Sequence, residues 1–281
     1  MKGLIEKAKL LTRKGDEFLA RSGDKDFHQQ ARSLLADAKL SESYDFQQLV
    51  EASFRSDFSH QQNFSSFQFS DLPLTLAYGE HCFIDLYFWR RRPTVIHNHH
   101  FSGAFMCLEG SNLDFEYQFY PGQSFGRFHS SGSVELVQTR VIKAGDSAEI
   151  DFQDKFIHQN HHHSDLTINV CFRTPEKTGF NIANFLSSGL RFEKDAELLY
   201  RSEKLKRFLA LGKFDFEKLE LGIDDAIYFL IDHFGSSSKN TLLLKLKGTL
   251  EERVKRETGL DIDQLMILHE KKLDQLQEDY D

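Results

Sequence analysis

The chain has 281 residues, is 40% hydrophobic and 28% charged, and carries a formal net charge of −8. This is the balance of an ordinary soluble globular protein, long enough for one well-buried core plus a second, smaller body, and it excludes a disordered chain. The acidic charge argues against a nucleic-acid partner, which calls for a basic field; the only compact basic cluster is Arg90-Arg91-Arg92. No run approaches the roughly eighteen apolar residues of a membrane-spanning helix, and Met1 to Lys9 is charged at helical spacing rather than built as a signal peptide, so a cytoplasmic protein is expected.

In chain order, residues 1–57 read as a helical cap. Leu4, Ala8, Leu11, Phe18 and Leu19, then Phe27, Ala31, Leu34, Leu35 and Ala38, then Phe46, Leu49 and Val50 recur near helical spacing, with breaks at Gly23-Asp24 and Ser41-Glu42-Ser43. From Asn63 the period changes to two. Cys82, Ile84, Leu86 and Phe88 alternate with Phe83, Asp85, Tyr87 and Trp89, so both faces of that strand are largely apolar, until Pro93 withholds a ladder donor and ends it. Further strands are expected at residues 104–108, 112–120, 134–142, 148–152, 156–160 and 166–173. They are separated by Glu109-Gly110-Ser111, Pro121-Gly122, Ser130-Ser131-Gly132 and Ala144-Gly145-Asp146. Short strands at this interval, with 27 phenylalanines in the chain, predict a mainly β architecture over 58–175: one antiparallel barrel or jelly roll. Residues 176–281 return to helical spacing and form a helical C-terminal domain, with Gly235-Ser236-Ser237-Ser238 as a turn and Asn240 or Thr241 as a cap. Cys82, Cys107 and Cys171 are odd in number and sit in apolar runs, which predicts reduced core thiols rather than a disulfide.

The chemistry concentrates in Ile96-His97-Asn98-His99. Residues i and i+2 of a strand leave the same face, so His97 and His99 present two imidazoles toward one point, half of a metal site. A third ligand must come from elsewhere, and Phe156-Ile157-His158 offers one; its competitors His161, His162 and His163 fall in 160–165, which reads as a loop, and are expected to be solvent-facing or second-sphere. Gly122-Gln123-Ser124-Phe125-Gly126 spells a nucleophile-elbow pattern, but polar turn residues follow where a helix is required, so it reads as a chance match.

The segment from His97 to Gly110 resembles the first signature motif of the cupin superfamily: a His-x-His pair, then a glutamate, then a glycine seven residues after it. Here Leu108-Glu109-Gly110 is similar to the end of that motif, and Gly103 stands where the ligand glutamate belongs. The second motif is matched by Gly145-Asp146 and His158, without its proline and second glycine. A three-histidine set without the glutamate resembles the thiol dioxygenase group, relatives of cysteine dioxygenase. The resemblance implies a mononuclear Fe(II) site, with Zn, Ni or Cu as alternative metals, and a small metal-chelating substrate that meets dioxygen on the open face. It implies a pocket near Trp89, Tyr87, Gly103, Thr167, Asn169 and Cys171, although on 166–173 the opposite set, Leu166, Ile168, Val170 and Phe172, could equally be the inward one. The upstream arginine of that group is absent, since no arginine lies between Arg55 and Arg90, and its later histidine and tyrosine are replaced along Thr167-Ile168-Asn169-Val170-Cys171. Cupins commonly dimerise, which makes a homodimer an expectation.

Two other functions fit the same residues. One is a non-catalytic metal- or ligand-binding module with a helical partner-binding domain, its metal closed off by a fourth ligand such as His81, His100 or His161. The other is a metal-dependent isomerase or lyase on the same fold.

Overall fold

The computed structural model describes residues 2–54, 62, 70–91, 93–193, 195–210, 221–232 and 241–280. Arg92, Asn240, the Gly235 to Ser238 turn and the expected boundary at residue 58 lie outside them. The chain folds into two compact units, one of Met1–Tyr117 with Leu136–Phe180 and one of Gln118–Glu135 with Asn181–Asp281.

The first unit opens with α1 (Lys2–Ser22), α2 (Phe27–Ala38), a 3-10 turn (Leu40–Ser43) and α3 (Phe46–Ser53). Gly23 ends α1 at a φ of 67°, a left-handed position that favours glycine, and the Asp45 carboxylate accepts the Gln48 N–H at 2.8 Å to cap α3. Five antiparallel strands follow in the spatial order β1 (Leu72–Tyr78), β2 (Phe83–Arg90), β9 (Leu166–Arg173), β4 (Gly103–Glu109), β7 (Ser147–Ile150). Strand alternation splits their side chains. Ile84, Leu86 and Phe88, Ala104 and Met106, and Ile168, Val170 and Phe172 face the helices and pack on Leu4, Ala8, Leu11, Phe27, Ala31 and Leu35. Tyr87, Trp89, Phe105, Cys107 and Cys171 face the other way, onto Phe156 and Ile142 of a second sheet.

Within this unit the second sheet is ordered β3 (Ile96–His99), β8 (Gln153–His162), β5 (Ser111–Ser124), β6 (His129–Lys143). Two antiparallel sheets packed over one aromatic interior, with helices outside, make a jelly roll with helical flanks. The interior set on β9 is therefore Asn169 and Cys171, the parity that the sequence left open. All three cysteines are buried with free thiols.

The second unit takes the far ends of β5 and β6, adds β10 (Ala183–Phe185) and β11 (Leu190–Glu193) beside β6, and continues into α4 (Ala196–Ala210), α5 (Ile223–Asp232), α6 (Thr241–Thr258) and α7 (Ile262–Tyr280). The Asp195 carboxylate accepts the N–H groups of Glu197 and Leu198 to start α4. Leu205, Leu209, Ala226, Ile227, Phe229, Leu230, Leu246, Leu250 and Val254 form its core.

Three local expectations change. Strand β5 runs through Pro121-Gly122 to Ser124, and β6 begins at His129, so Ser130-Ser131-Gly132 is strand rather than turn. Pro121 is tolerated because residues 120–124 are exposed. Gly132 serves close approach: a Cβ there would sit 2.3 Å from the Tyr120 carbonyl oxygen. The third is β8, which continues to His162 where a loop was expected. No helix among the described residues is long and apolar enough to cross a membrane.

Candidate metal centre

Register brings the histidines together. His97 on β3 is the direct antiparallel partner of His158 on β8, so both side chains leave the same face, and His99 follows His97 by two. The three rings form a triangle with centroid separations of 4.7, 4.8 and 5.0 Å, and their candidate ligand nitrogens all lie within 4.8 Å of one another. Each histidine is 3% exposed.

Hydrogen bonds fix which nitrogen two of the rings, His97 and His158, offer. His97 Nδ1 lies 2.8 Å from the Val95 carbonyl, which can only accept, so a neutral His97 keeps its lone pair on Nε2. His158 Nδ1 lies 2.8 Å from Asp114 Oδ1 and donates to it, which leaves the Nε2 lone pair toward the centre, 3.0 Å from Nε2 of His99. Two nitrogens each about 2.1 Å from one ion lie roughly 3.0–3.4 Å apart for bond angles between right and tetrahedral, so the His99–His158 pair has the spacing of two ligands of one divalent transition metal. Burial first, then the neighbouring His97 and His158, holds His99 well below the usual histidine range, which keeps its lone pair available.

Asp114 was not foreseen. It sits on β5, where Asp114 pairs with Asn160 and Glu116 with His158, so its carboxylate reaches His158 diagonally across the sheet. Its other oxygen accepts from Arg140 Nε on β6 at 2.7 Å. Burial alone raises this carboxyl, but the His158 hydrogen bond and charge and the Arg140 guanidinium outweigh it and hold the group below the usual carboxylate range.

The histidines form part of the wall of a cavity of about 40 Å³ whose lining includes Tyr87, Trp89, Phe101, Phe105, Ile150, Asn160, Asn169 and Cys171. Burial pushes the Cys171 thiol up to about 12, so it stays protonated, and the Tyr87 hydroxyl donates to Asp85 at 3.0 Å. Asn169 is 5% exposed and its carboxamide oxygen has no partner among the described residues.

Other expected pocket residues lie elsewhere. Gly103 does not line the cavity: its missing Cβ would sit 2.3 Å from the Phe172 carbonyl oxygen and 2.8 Å from Arg173 Cα, so the glycine reflects close packing of β4 on β9. Thr167 does not line it either and donates to the Ser111 carbonyl at 3.2 Å. None of the proposed fourth ligands reaches the triangle. His81 is half exposed beside Glu80, His100 pairs with Glu176 at 3.1 Å, and His161 lies against His163 on the opposite side of β8 from His158. His162, expected as solvent-facing or second-sphere, is fully buried and stacks on Trp89 at 4.7 Å. Arg90 lies exposed at the strand end and pairs with Asp71. Ser124 is exposed, and its hydroxyl donates to the Gly126 carbonyl in its own turn, so the nucleophile-elbow pattern has no catalytic geometry.

No family model and no curated protein matches the chain. Among solved structures it is similar to the DMSP lyase DddQ from Ruegeria pomeroyi (9% identity over 48% of this chain and 61% of that one, TM-score 0.30). It is also similar to a cupin-2 domain containing protein from Shewanella frigidimarina (16% identity, 41% of this chain and 93% of that one, TM-score 0.26). A third is RmlC from Streptococcus suis in complex with dTDP-D-xylose (11% identity, 49% and 57%, TM-score 0.26). The chain spans between half and three fifths of the length of the DMSP lyase structures it matches. At these TM-scores the likeness bears on no residue of this chain; the jelly roll and the histidine triangle stand on its own strands.

Proposed function

We propose that the protein is a mononuclear non-haem iron dioxygenase in which His97, His99 and His158 hold Fe(II) and a small uncharged substrate, such as a thiol, is oxidised by dioxygen. The observation that carries this reading is an open ligand set: three buried imidazoles converge and, among the described residues, no fourth histidine, cysteine or carboxylate joins them. A structural metal site is closed by a fourth protein ligand, whereas a catalytic one keeps positions for reactants. Iron held by three neutral imidazoles supplies those positions to substrate and dioxygen.

The protein's own groups set the substrate. A cavity of about 40 Å³ has room for roughly three water-sized groups, at about 10–15 Å³ each. Its described lining contains no lysine, arginine, aspartate or glutamate, which favours an uncharged molecule over an amino acid. Phe101, Phe105, Ile150 and Trp89 exclude water, and Asn169 offers a buried carboxamide oxygen to a substrate N–H or O–H. Asp85 and Arg173, both 1% exposed, are paired with each other at 3.3 Å, so this guanidinium already has its anion.

The test is elemental analysis of protein purified anaerobically from iron-supplemented cells, followed by oxygen uptake with small neutral thiols and related chelators. About one iron per chain, lost in His97→Ala, His99→Ala and His158→Ala, together with substrate-dependent oxygen uptake, is the expected result. Metal-free wild-type protein, or metal retained in all three variants, overturns the site. Bound metal with substrate turnover but no oxygen uptake replaces the dioxygenase by an isomerase or lyase.

A further inference from the structure

We infer that Asp114, held in place by Arg140, is the positioning residue of the metal centre: it locks His158 as the Nδ1–H tautomer, with Nε2 turned toward His99. This rests on the metal-site reading above and extends it to residues that touch neither metal nor substrate.

Three observations converge on the assignment. Asp114 is fully buried, and such a carboxylate is tolerated only with strong partners. Its two oxygens are divided: Oδ1 accepts from His158 Nδ1 at 2.8 Å, and Oδ2 accepts from Arg140 Nε and Nη2, both at 2.7 Å. Third, the ligand triangle contains no carboxylate, and Gly103 has no room for one, since even a Cβ there meets backbone atoms at 2.3 and 2.8 Å. A carboxylate hydrogen-bonded to a ligand imidazole fixes its tautomer and orientation and makes the ring a more basic ligand.

Arg140 has a different task. It is 30% exposed in its side chain, reaches Glu116 at 3.9 Å, and makes a two-pronged contact with Asp114 Oδ2. That contact fixes the carboxylate plane so that Oδ1 points at His158. Its influence on the metal therefore passes through Asp114, and the two residues must be coupled.

The experiment measures Zn²⁺ and Co²⁺ dissociation constants of the full chain by chelator competition, for wild type, Asp114→Asn, Arg140→Gln and the double variant. Asp114→Asn is expected to weaken binding about 10–100-fold. Arg140→Gln has a smaller effect, and none when Asp114 is already Asn, because distant substitutions without shared partners add and these do not. Wild-type affinity in Asp114→Asn overturns the inference, as does an Arg140→Gln effect that persists in the double variant. Should Asp114→Asn fail to fold, nitrogen-detected NMR of Zn-loaded wild-type protein decides the matter. A protonated Nδ1 on His158 with Nε2 on the metal supports the assignment, and Nδ1 on the metal refutes it. Wild-type protein that takes up no metal in either measurement refutes the metal-site reading and this inference together.

Discussion

Gly103→Ala tests the steric account of the missing glutamate. A Cβ at 103 would lie 2.3 Å from the Phe172 carbonyl oxygen, 2.8 Å from Arg173 Cα and 2.9 Å from Arg173 Cβ. The first two are backbone atoms of β9, and Gly103 pairs directly with Arg173, so no side-chain rotation relieves the clash. Ordinary van der Waals separation requires β4 and β9 to part by about 1 Å, which costs about 1–3 kcal/mol in overpacking and weakens one or two ladder hydrogen bonds worth about 1 kcal/mol each. The expected loss is about 2–5 kcal/mol, or a Tm lower by roughly 4–20 °C at about 2–4 °C per kcal/mol. Gly103→Glu should be worse and should add no ligand to the triangle. Gly248→Ala on α6 is the control: nothing lies within 4 Å of its Cβ position, so it should be neutral or stabilise by up to about 1 kcal/mol. Urea and thermal unfolding with metal titration provide the assay. A Gly103→Glu protein with wild-type stability and tighter metal binding refutes the argument and restores Gly103 as a ligand position.

The remaining predictions concern other buried groups. Arg173→Met leaves Asp85, among the described residues, with the Thr75 and Tyr87 hydroxyls, which should cost about 3–5 kcal/mol in urea unfolding, while Asp85→Asn combined with Arg173→Met should recover much of it. His269 is lowered from 6.5 to about 4 by burial and then by Lys272, and its Nδ1 must stay unprotonated to accept the Ser187 N–H. Its folded-state value lies below the unfolded one, so its contribution is complete above about pH 6.5 and is lost as pH falls toward 4, about 3 kcal/mol at 1.36 kcal/mol per pH unit. His269→Gln should flatten that slope, and an unchanged slope refutes the assignment. Trp89 is the one tryptophan and lines the cavity, so Cu²⁺ or Ni²⁺ at the triangle should quench the fluorescence, and His97→Ala should abolish the effect; quenching that survives in the variant places the ion elsewhere.

Much of the centre was legible because its information is local. His97 and His99 are fixed by strand parity alone, and the apolar alternation from Cys82 to Trp89 shows a strand buried on both sides. Asp114 was not legible, because it lies 44 residues from His158 and meets it only through the register of β5 on β8. The arginine sought upstream of the histidine pair is absent, yet Arg173 on β9 comes to lie buried over the Phe101 ring at 4.7 Å, a placement set by sheet order rather than by sequence distance. Turn residues misled where tertiary contacts overrode them, as at Gly132. The run His161-His162-His163 looked uniformly polar, but strand alternation turns His162 inward onto Trp89 and leaves its neighbours half-buried.

The protein's own hydrogen bonds hold part of the triangle in place. Burial, and after it the neighbouring His97 and His158, holds His99 well below the usual histidine range. Two of the rings are oriented, His97 by the Val95 carbonyl and His158 by Asp114. Rings held by such bonds lose little rotational freedom on binding, and that lowers the entropic cost of coordination. Removing Asp114 should therefore loosen His158 selectively, leaving His97 in place, and a two-histidine remnant should hold metal far more weakly than the intact triangle.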